Sequence, residues 1–267
     1  MNILLTGGHT GIGLELSKTL FAEGHTLGLI VRSKSRIEGM PKEIQNSDKL
    51  SVWEADLSDQ QQVAGIAETI SKEWSHIDVL YNNAGVLLDK LYTSKQGNEM
   101  HLEVNTLSPY LLTEKLKPLL DNAQNPVVVN TVTGGMHQRK SLKLEALVNP
   151  KEFKKLIGAY LQSKLALTLL TVDRSQAWTN IRFVNLDPGP NKTPMTAGVG
   201  MPKFLMPLRN LFFPPPTKGG SLLYKAVFDP QHQGKSGIYL SGNKDKPMSM
   251  ALSSSDKQAL LTGLKSQ

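Results

Sequence analysis

The chain has 267 residues, 39% hydrophobic and 20% charged, with 22 glycines, 15 prolines and no cysteine, a composition that excludes fibrous and wholly disordered proteins. Without cysteine there is no disulfide scaffold, no thiolate-ligated metal and no thiol nucleophile, so catalysis, if present, uses oxygen, nitrogen or a cofactor. The net charge of +7 suits anionic partners, but the basic residues are scattered, with short clusters such as Arg139/Lys140 and Lys151/Lys154/Lys155; the dense, aromatic-interleaved footprint of a nucleic-acid binder is missing.

The apolar run Asn2 to Thr6 is too short for a helix and stops at Gly7 and Gly8, so it reads as a buried strand. A helix follows over Gly11 to Glu23, with Ile12, Leu16, Leu20 and Phe21 on one face and Gly24 as its stop. Thr26 to Val31 is the second strand and Lys49 to Trp53 the third. Then come a helix (Gln60 to Trp74), a strand (Ile77 to Tyr81), a helix (His101 to Leu120) and a fifth strand (Val127 to Asn130). A long helix over Leu156 to Ala177, a strand over Ile181 to Leu186, a helix over Gly219 to Phe228 and a last strand at Ile238 to Leu240 complete the alternation.

Strands that are apolar throughout and alternate with helices imply a mostly parallel, seven-stranded sheet covered on both faces, a doubly wound α/β fold. Ser33 to Asp48 and Pro188 to Thr217 read as loop insertions, so residues 1–267 are expected to form a single domain. No stretch reaches the roughly 18 apolar residues needed to span a bilayer, and the N-terminus lacks a charged region followed by a signal-length apolar run. The expectation is a cytoplasmic protein with no transmembrane segment.

In such sheets ligands bind beyond the carboxyl ends of the strands. The first strand leads into Thr6-Gly7-Gly8-His9-Thr10-Gly11-Ile12-Gly13. Its glycines permit a tight turn and let amides at a helix N-terminus approach a pyrophosphate, the pattern of a dinucleotide site. The acidic residue that would bind the ribose hydroxyl of NAD at the end of the second strand is missing; Val31 and Arg32 stand there. A guanidinium suits a 2′-phosphate, which favours NADP, with NADPH preferred over NADH. Tyr160 and Lys164 are one helical turn apart, so the ammonium is expected near the phenol, lowering its pKa and making it a general acid or base. No two histidines lie at metal-ligand spacing, so no metal site is expected.

With these motifs in order the chain resembles the short-chain dehydrogenase/reductase family over nearly its whole length. Thr6 to Gly13 is similar to the family's TGxxxGIG turn, and Asp56-Leu57 to the pair that meets the adenine. Asn82-Asn83-Ala84-Gly85 resembles the NNAG motif, Tyr160 to Lys164 the YxxxK pair, and Asp187-Pro188-Gly189 with Thr193 the PG segment that touches the nicotinamide carboxamide. The resemblance implies a Rossmann-type domain. It also implies that Asn105 carries a water chain toward Lys164, and that a serine after the fifth strand binds the substrate carbonyl. Here Thr133 takes the serine's place, with Thr131 and Ser141 as fallbacks; threonine keeps the hydroxyl but its methyl crowds the site.

Thr133 and Tyr160 are 27 positions apart, and the polar insertion Met136 to Lys155 between them is expected beside the mouth of the site. This spacing, with Pro216-Thr217-Lys218-Gly219-Gly220, is similar to the retinol dehydrogenase-like and WW-domain oxidoreductase-like branch. Between Thr193 and Thr217, Phe204, Leu205, Leu208, Leu211 and Phe212 recur at helical spacing. This segment, near residues 190–217, reads as a substrate lid whose apolar lining suits a lipophilic carbonyl or alcohol. Its rivals are a helix packed on the body and one docked peripherally on a membrane, with Lys203 and Arg209 toward lipid phosphate. The expected function is NADP(H)-dependent interconversion of a carbonyl and an alcohol; the alternative is a non-catalytic NADP-binding sensor or scaffold. Family members often dimerise through the helices around Asn105 and Tyr160, so both a monomer and a homodimer stand.

Overall fold

The computed structural model describes residues 1–136, 141–248 and 250–265; the basic pair Arg139/Lys140 lies outside the described residues. Strands β1 (Asn2–Thr6), β2 (Thr26–Val31), β3 (Leu50–Glu54), β4 (Val79–Asn82), β5 (Val127–Thr131), β6 (Arg182–Asp187), β7 (Ile238–Ser241) and β8 (Lys244–Lys246) form one sheet. Its order is β3-β2-β1-β4-β5-β6-β7-β8. The first seven are parallel to one another. The expected count of seven is corrected by β8, which pairs antiparallel with β7 across the two-residue turn Gly242-Asn243. Gly242 takes φ +61 there, as such hairpin turns require. Lys-Asp-Lys gives β8 no apolar residue to signal it, and a fully charged edge resists further pairing.

Strand periodicity divides the core. Ile3 and Leu5 face one side with Leu27 and Leu29, covered by Leu16 and Leu20 of α1 (Gly11–Ala22) and by Leu223, Ala226 and Val227 of the Pro216–Phe228 helix. Leu4, Ile30, Leu80 and Val128 face the other, under Val63, Ala67 and Ile70 of α2 (Gln60–Glu73). Gly28 has no side chain to offer because a Cβ there would lie 2.6 Å from the Trp53 ring and 2.8 Å from that of Trp74.

The helix expected from His101 to Leu120 is not regular. It is built of an α turn at Met100–Leu102, a π turn at Glu103–Leu107 and an α segment at Ser108–Lys115, together α3, followed by a separate turn at Lys117–Asp121. Helix α4 is Ala159–Ala177. Leu102 and Leu107 of α3 and Ala159, Ala166 and Leu170 of α4 pack against Leu147 and against Leu260 of an unforeseen C-terminal helix, Ser254–Leu261. The outer face of α3 and α4 is therefore covered by the chain itself. Of the Met136–Lys155 insertion, Leu142, Leu144, Leu147 and Val148 join this cluster, while its end runs beside the cleft without lining it: Phe153 stacks on His101, and Lys155 reaches the Val199 carbonyl. No helix of the described residues is long and apolar enough to cross a membrane.

Candidate active site

The order of the strands reverses between β1 and β4, and a cleft of about 600 Å³ opens there at the carboxyl ends of the strands. Gly7, His9, Thr10, Gly11 and Ile12 line one end. Gly7 and Gly11 have φ of +69 and +56, values that favour glycine. Gly13 lies behind this wall, and a Cβ on it would sit 2.3 Å from the Gly7 carbonyl oxygen. Helix α1 starts with no side-chain cap and no acidic residue in its first turn, so its leading amides are left for an anion. On the same loop His9 Nδ1 is buried without a partner, and burial, then Arg36, lower its pKa.

Three loops are interlocked beneath. The Thr6 hydroxyl accepts from the Asn83 and Ala84 amides, both at 3.0 Å. Asn83 Nδ2 donates to the carbonyls of Thr6 and Gly7 at 3.2 and 3.3 Å, and its Oδ1 accepts from the Thr131 hydroxyl at 3.3 Å. The Asn83 side chain thus makes struts between loops, and Asn83, Ala84 and Gly85 all line the cleft. Below, Asn82, Asn130 and Asn185 stand in register on β4, β5 and β6. The Asn82 amide donates to Asn130 at 2.9 Å and that of Asn130 to Asn185 at 3.4 Å. Sequence reading missed this ladder, whose members no local spacing connects.

At the far end Arg32 Nε lies 3.5 Å from the Asp56 carboxylate, with 62% of the arginine side chain exposed. Leu57 and Arg36 complete this wall. Arg36 was not foreseen, because it sits on the 3₁₀ turn Lys34–Gly39 within a stretch that reads as a loop.

Tyr160 and Lys164 project from α4 into the other end. Lys164 is 4% exposed; its ammonium donates to the Thr131 carbonyl at 2.8 Å, and burial lowers its pKa to about 8. Tyr160 is half-buried. The expectation that Lys164 lowers the phenol's pKa is not met: burial, then the Asp187 charge, push it up to about 12, against a hydrogen bond with the Thr133 hydroxyl. Of the three hydroxyls considered, Thr133 lines the cleft beside Tyr160, Thr131 is spent on Asn83, and Ser141 is exposed and away from the cleft.

Asn105, in the π turn, does not line the cleft. Its Oδ1 accepts from the Val86 amide at 2.8 Å, and its Nδ2 donates to the Val86 carbonyl at 3.0 Å and to Ser163 Oγ at 3.2 Å. Gly85 leaves room for this arrangement, since a Cβ there would lie 2.9 Å from Asn105 Oδ1 and 3.3 Å from Lys164 Nζ. His101 Nε2 accepts from the Leu88 amide at 3.0 Å and Nδ1 donates to Glu99 at 2.7 Å; its ring meets that of Tyr160 edge-on at 6.2 Å.

Asp187, the last residue of β6, is a second residue that sequence reading did not single out by itself. It is buried, accepts from the Gly189 amide at 2.9 Å and from the Gly134 amide, and its pKa is raised by burial. A Cβ on Gly134 would be 2.4 Å from Asp187 Oδ2. One carboxylate therefore staples the Thr133 loop to the Pro188-Gly189 loop.

Pro188, Gly189 and Thr193 line the cleft. The side chains of Thr193 and Thr196 cap the turn Pro194–Ala197 reciprocally. Arg209 donates to Thr196 Oγ1 at 3.2 Å and to the Thr193 carbonyl at 3.3 Å, so it points inward, contrary to the reading that turned it to lipid phosphate. Among the five apolar residues expected to form a lining, Leu205 alone reaches the cleft, together with Met201 and Phe213. Leu156 also lines it, with φ +59, a strained conformation for a branched residue and one that marks functional sites.

The family model for short chain dehydrogenase matches residues 1–142. The chain is 30% identical over 194 residues to human dehydrogenase/reductase SDR family member 12, covering 72% of this chain and 61% of that protein. It is 29% identical over 222 residues to human retinol dehydrogenase 11, covering 81% and 69%. The chain thus spans about three fifths of the length of the first of these relatives. Among solved structures, NADPH-bound carbonyl reductase from chicken fatty liver superposes with a TM-score of 0.69 at 20% identity over 94% of this chain and 98% of that one. Salutaridine reductase from Papaver somniferum gives 0.70 at 19% identity, over 89% and 98%. A Rossmann-type sheet, a glycine-lined cleft at the carboxyl ends of its strands and a family match over more than half the chain agree: this protein belongs to the short-chain dehydrogenase family and is retinol dehydrogenase-like.

Proposed function

We propose that the protein is an NADPH-dependent reductase of a lipophilic aldehyde or ketone, acting as a single domain. The observation that carries this reading is the Thr133–Tyr160 hydroxyl pair at one end of a cleft whose other end holds two arginines.

The residues fit the cofactor. The uncapped α1 amides and Gly7 to Ile12 cradle a pyrophosphate, Arg32 and Arg36 take a 2′-phosphate, Asp56 and Leu57 border the adenine, and Pro188, Gly189 and Thr193 meet the carboxamide. The nicotinamide nucleotide, when bound, supplies hydride to the carbonyl carbon. Thr133 holds the carbonyl oxygen and Tyr160 delivers the proton to it. A phenol with its pKa near 12 is fully protonated at neutral pH, so the site is poised to donate. Asp187 reinforces this direction by opposing phenolate. Lys164 carries charge below about pH 8 and binds the ribose; Asn105 fixes Val86 and Ser163 around it.

The segment 194–213 is the substrate lid, its inner face formed by Met201, Leu205 and Phe213. Because α3 and α4 are already covered by the insertion and the C-terminal helix, the protein works as a monomer. The test is NADPH oxidation with a panel of aldehydes and ketones. Wild type turns over, and Tyr160→Phe loses on the order of 10²- to 10⁴-fold in kcat while binding NADPH normally. Equal activity of Tyr160→Phe contradicts the mechanism; tight binding without any turnover points to a sensor.

A further inference from the structure

A lid that only closes a cleft needs one apolar face. This segment has two. Val199, Phe204, Leu208, Leu211 and Phe212 are 50–76% exposed; Phe204 stands on the 3₁₀ turn Lys203–Leu205, and Leu208, Leu211 and Phe212 recur at the i, i+3, i+4 positions of the helix Met206–Phe212 that follows it. Singly exposed apolar residues are ordinary, but a contiguous group of this size marks a contact surface.

The charge around it is one-sided. Between Asp187 and Asp229 the sequence has no acidic residue, and it has Lys192, Lys203, Arg209, Lys218 and Lys225. Arg209 is used internally, whereas Lys203, next to Phe204, and Lys192 and Lys218, which flank the segment in sequence, are exposed. Lys155 joins them, its ammonium 3.3 Å from the Val199 carbonyl.

An exposed apolar face in a segment whose only charges are basic is complementary to an anionic lipid surface. A second copy docked face to face would bring the same lysines together. We infer that the outer face of the 199–212 segment docks on an anionic bilayer, inserting Phe204, Leu208, Leu211 and Phe212 among the acyl chains and presenting the cleft mouth to the lipid. A lipophilic molecule then passes from bilayer to cleft beneath Leu205 without crossing water. The inference rests on surface composition and does not depend on the redox reading.

The test is co-sedimentation of the full chain with vesicles of phosphatidylcholine alone and of phosphatidylcholine mixed with phosphatidylserine, with size-exclusion chromatography in parallel. Wild type should bind the mixed vesicles at least about tenfold better than the neutral ones, and added salt should weaken that binding. Phe204→Ser/Leu211→Ser/Phe212→Ser should lose at least about tenfold in affinity with an unchanged melting curve, and Lys203→Glu/Lys218→Glu should lose the preference for phosphatidylserine. Three results overturn the inference: wild type that stays in the supernatant with mixed vesicles, a triple variant that binds as well as wild type, or a vesicle-free dimer that the triple variant abolishes, which would make a second copy the occupant.

Discussion

At the glycine-loop end of the cleft, Thr6, Asn83 and Thr131 tie three loops together through side-chain hydrogen bonds, and Gly13 leaves no room even for a methyl group. From Pro194 to Phe213, by contrast, polar ties are few, Arg209 with Thr193 and Thr196 and Lys155 with the Val199 carbonyl, and apart from the Gly200-Met201 step packed on Leu87 the largest side chains face outward. The contrast follows from the tasks proposed for each end. A shared cofactor demands amides and charges held to a fraction of an ångström, which only interlocked polar groups provide. A substrate that differs between relatives demands a surface that can be rebuilt residue by residue without loosening the sheet, and a loosely attached lid also opens and closes readily.

Substitutions at the two ends should therefore behave differently. The largest effect is expected for Gly13→Ala. Its Cβ would fall 2.3 Å from a backbone carbonyl that cannot swing aside, so overpacking of roughly 1–3 kcal/mol is expected, with a melting temperature several degrees lower and NADPH binding lost. Wild-type binding in this variant would show that the loop is not rigid, and the contrast would fail.

Next is Asp187→Asn, read through pH. Alcohol oxidation needs Tyr160 as phenolate, so its rate rises with pH through the phenol's pKa. Removing the Asp187 charge lowers that pKa and moves the rising limb to lower pH, while reduction at neutral pH is little changed. The other groups near the phenol are Thr133, Lys164 one turn along the same helix, and the His101–Glu99 pair behind it, while Tyr239 on β7 meets the Asp187 charge. All remain in the variant, so an unshifted limb would show that Asp187 acts only as a staple between loops.

Arg209→Ala should have the smallest effect. It frees the lid from Thr193 and Thr196, raising KM several-fold with stability altered by less than about 1 kcal/mol, as expected for a partly exposed contact. A large loss of stability would mean that the lid is part of the core.

Much of the fold was legible because its signals are local. Short apolar runs alternating with helical periodicity gave seven strands to within two residues at each end, and the glycines after β1 marked the tight turn that begins α1. The eighth strand escaped because Lys244–Lys246 has no apolar residue, although the Gly-Asn turn before it was a hairpin signal. The π turn at Asn105 escaped because one inserted residue leaves helical periodicity almost intact over so short a stretch. In the site, Tyr160 and Lys164 share the cleft as their spacing suggested, and Thr133 joins them where the family resemblance put it, but the state of the phenol did not follow from spacing. Burial and Asp187, brought in from another strand, outweigh a lysine that turns to the Thr131 carbonyl. Arg36 and the asparagine ladder were hidden for the same reason: long-range neighbours leave no periodic mark.

The central claim is that one end of this cleft is built for the 2′-phosphate of NADPH, and a fluorescence titration with NADPH and NADH tests it most directly. Wild type should prefer NADPH by at least about tenfold, and Arg32→Ala and Arg36→Ala should each weaken NADPH by roughly tenfold or more while leaving NADH unchanged. Binding of neither nucleotide, or a preference that survives loss of both arginines, would contradict the account.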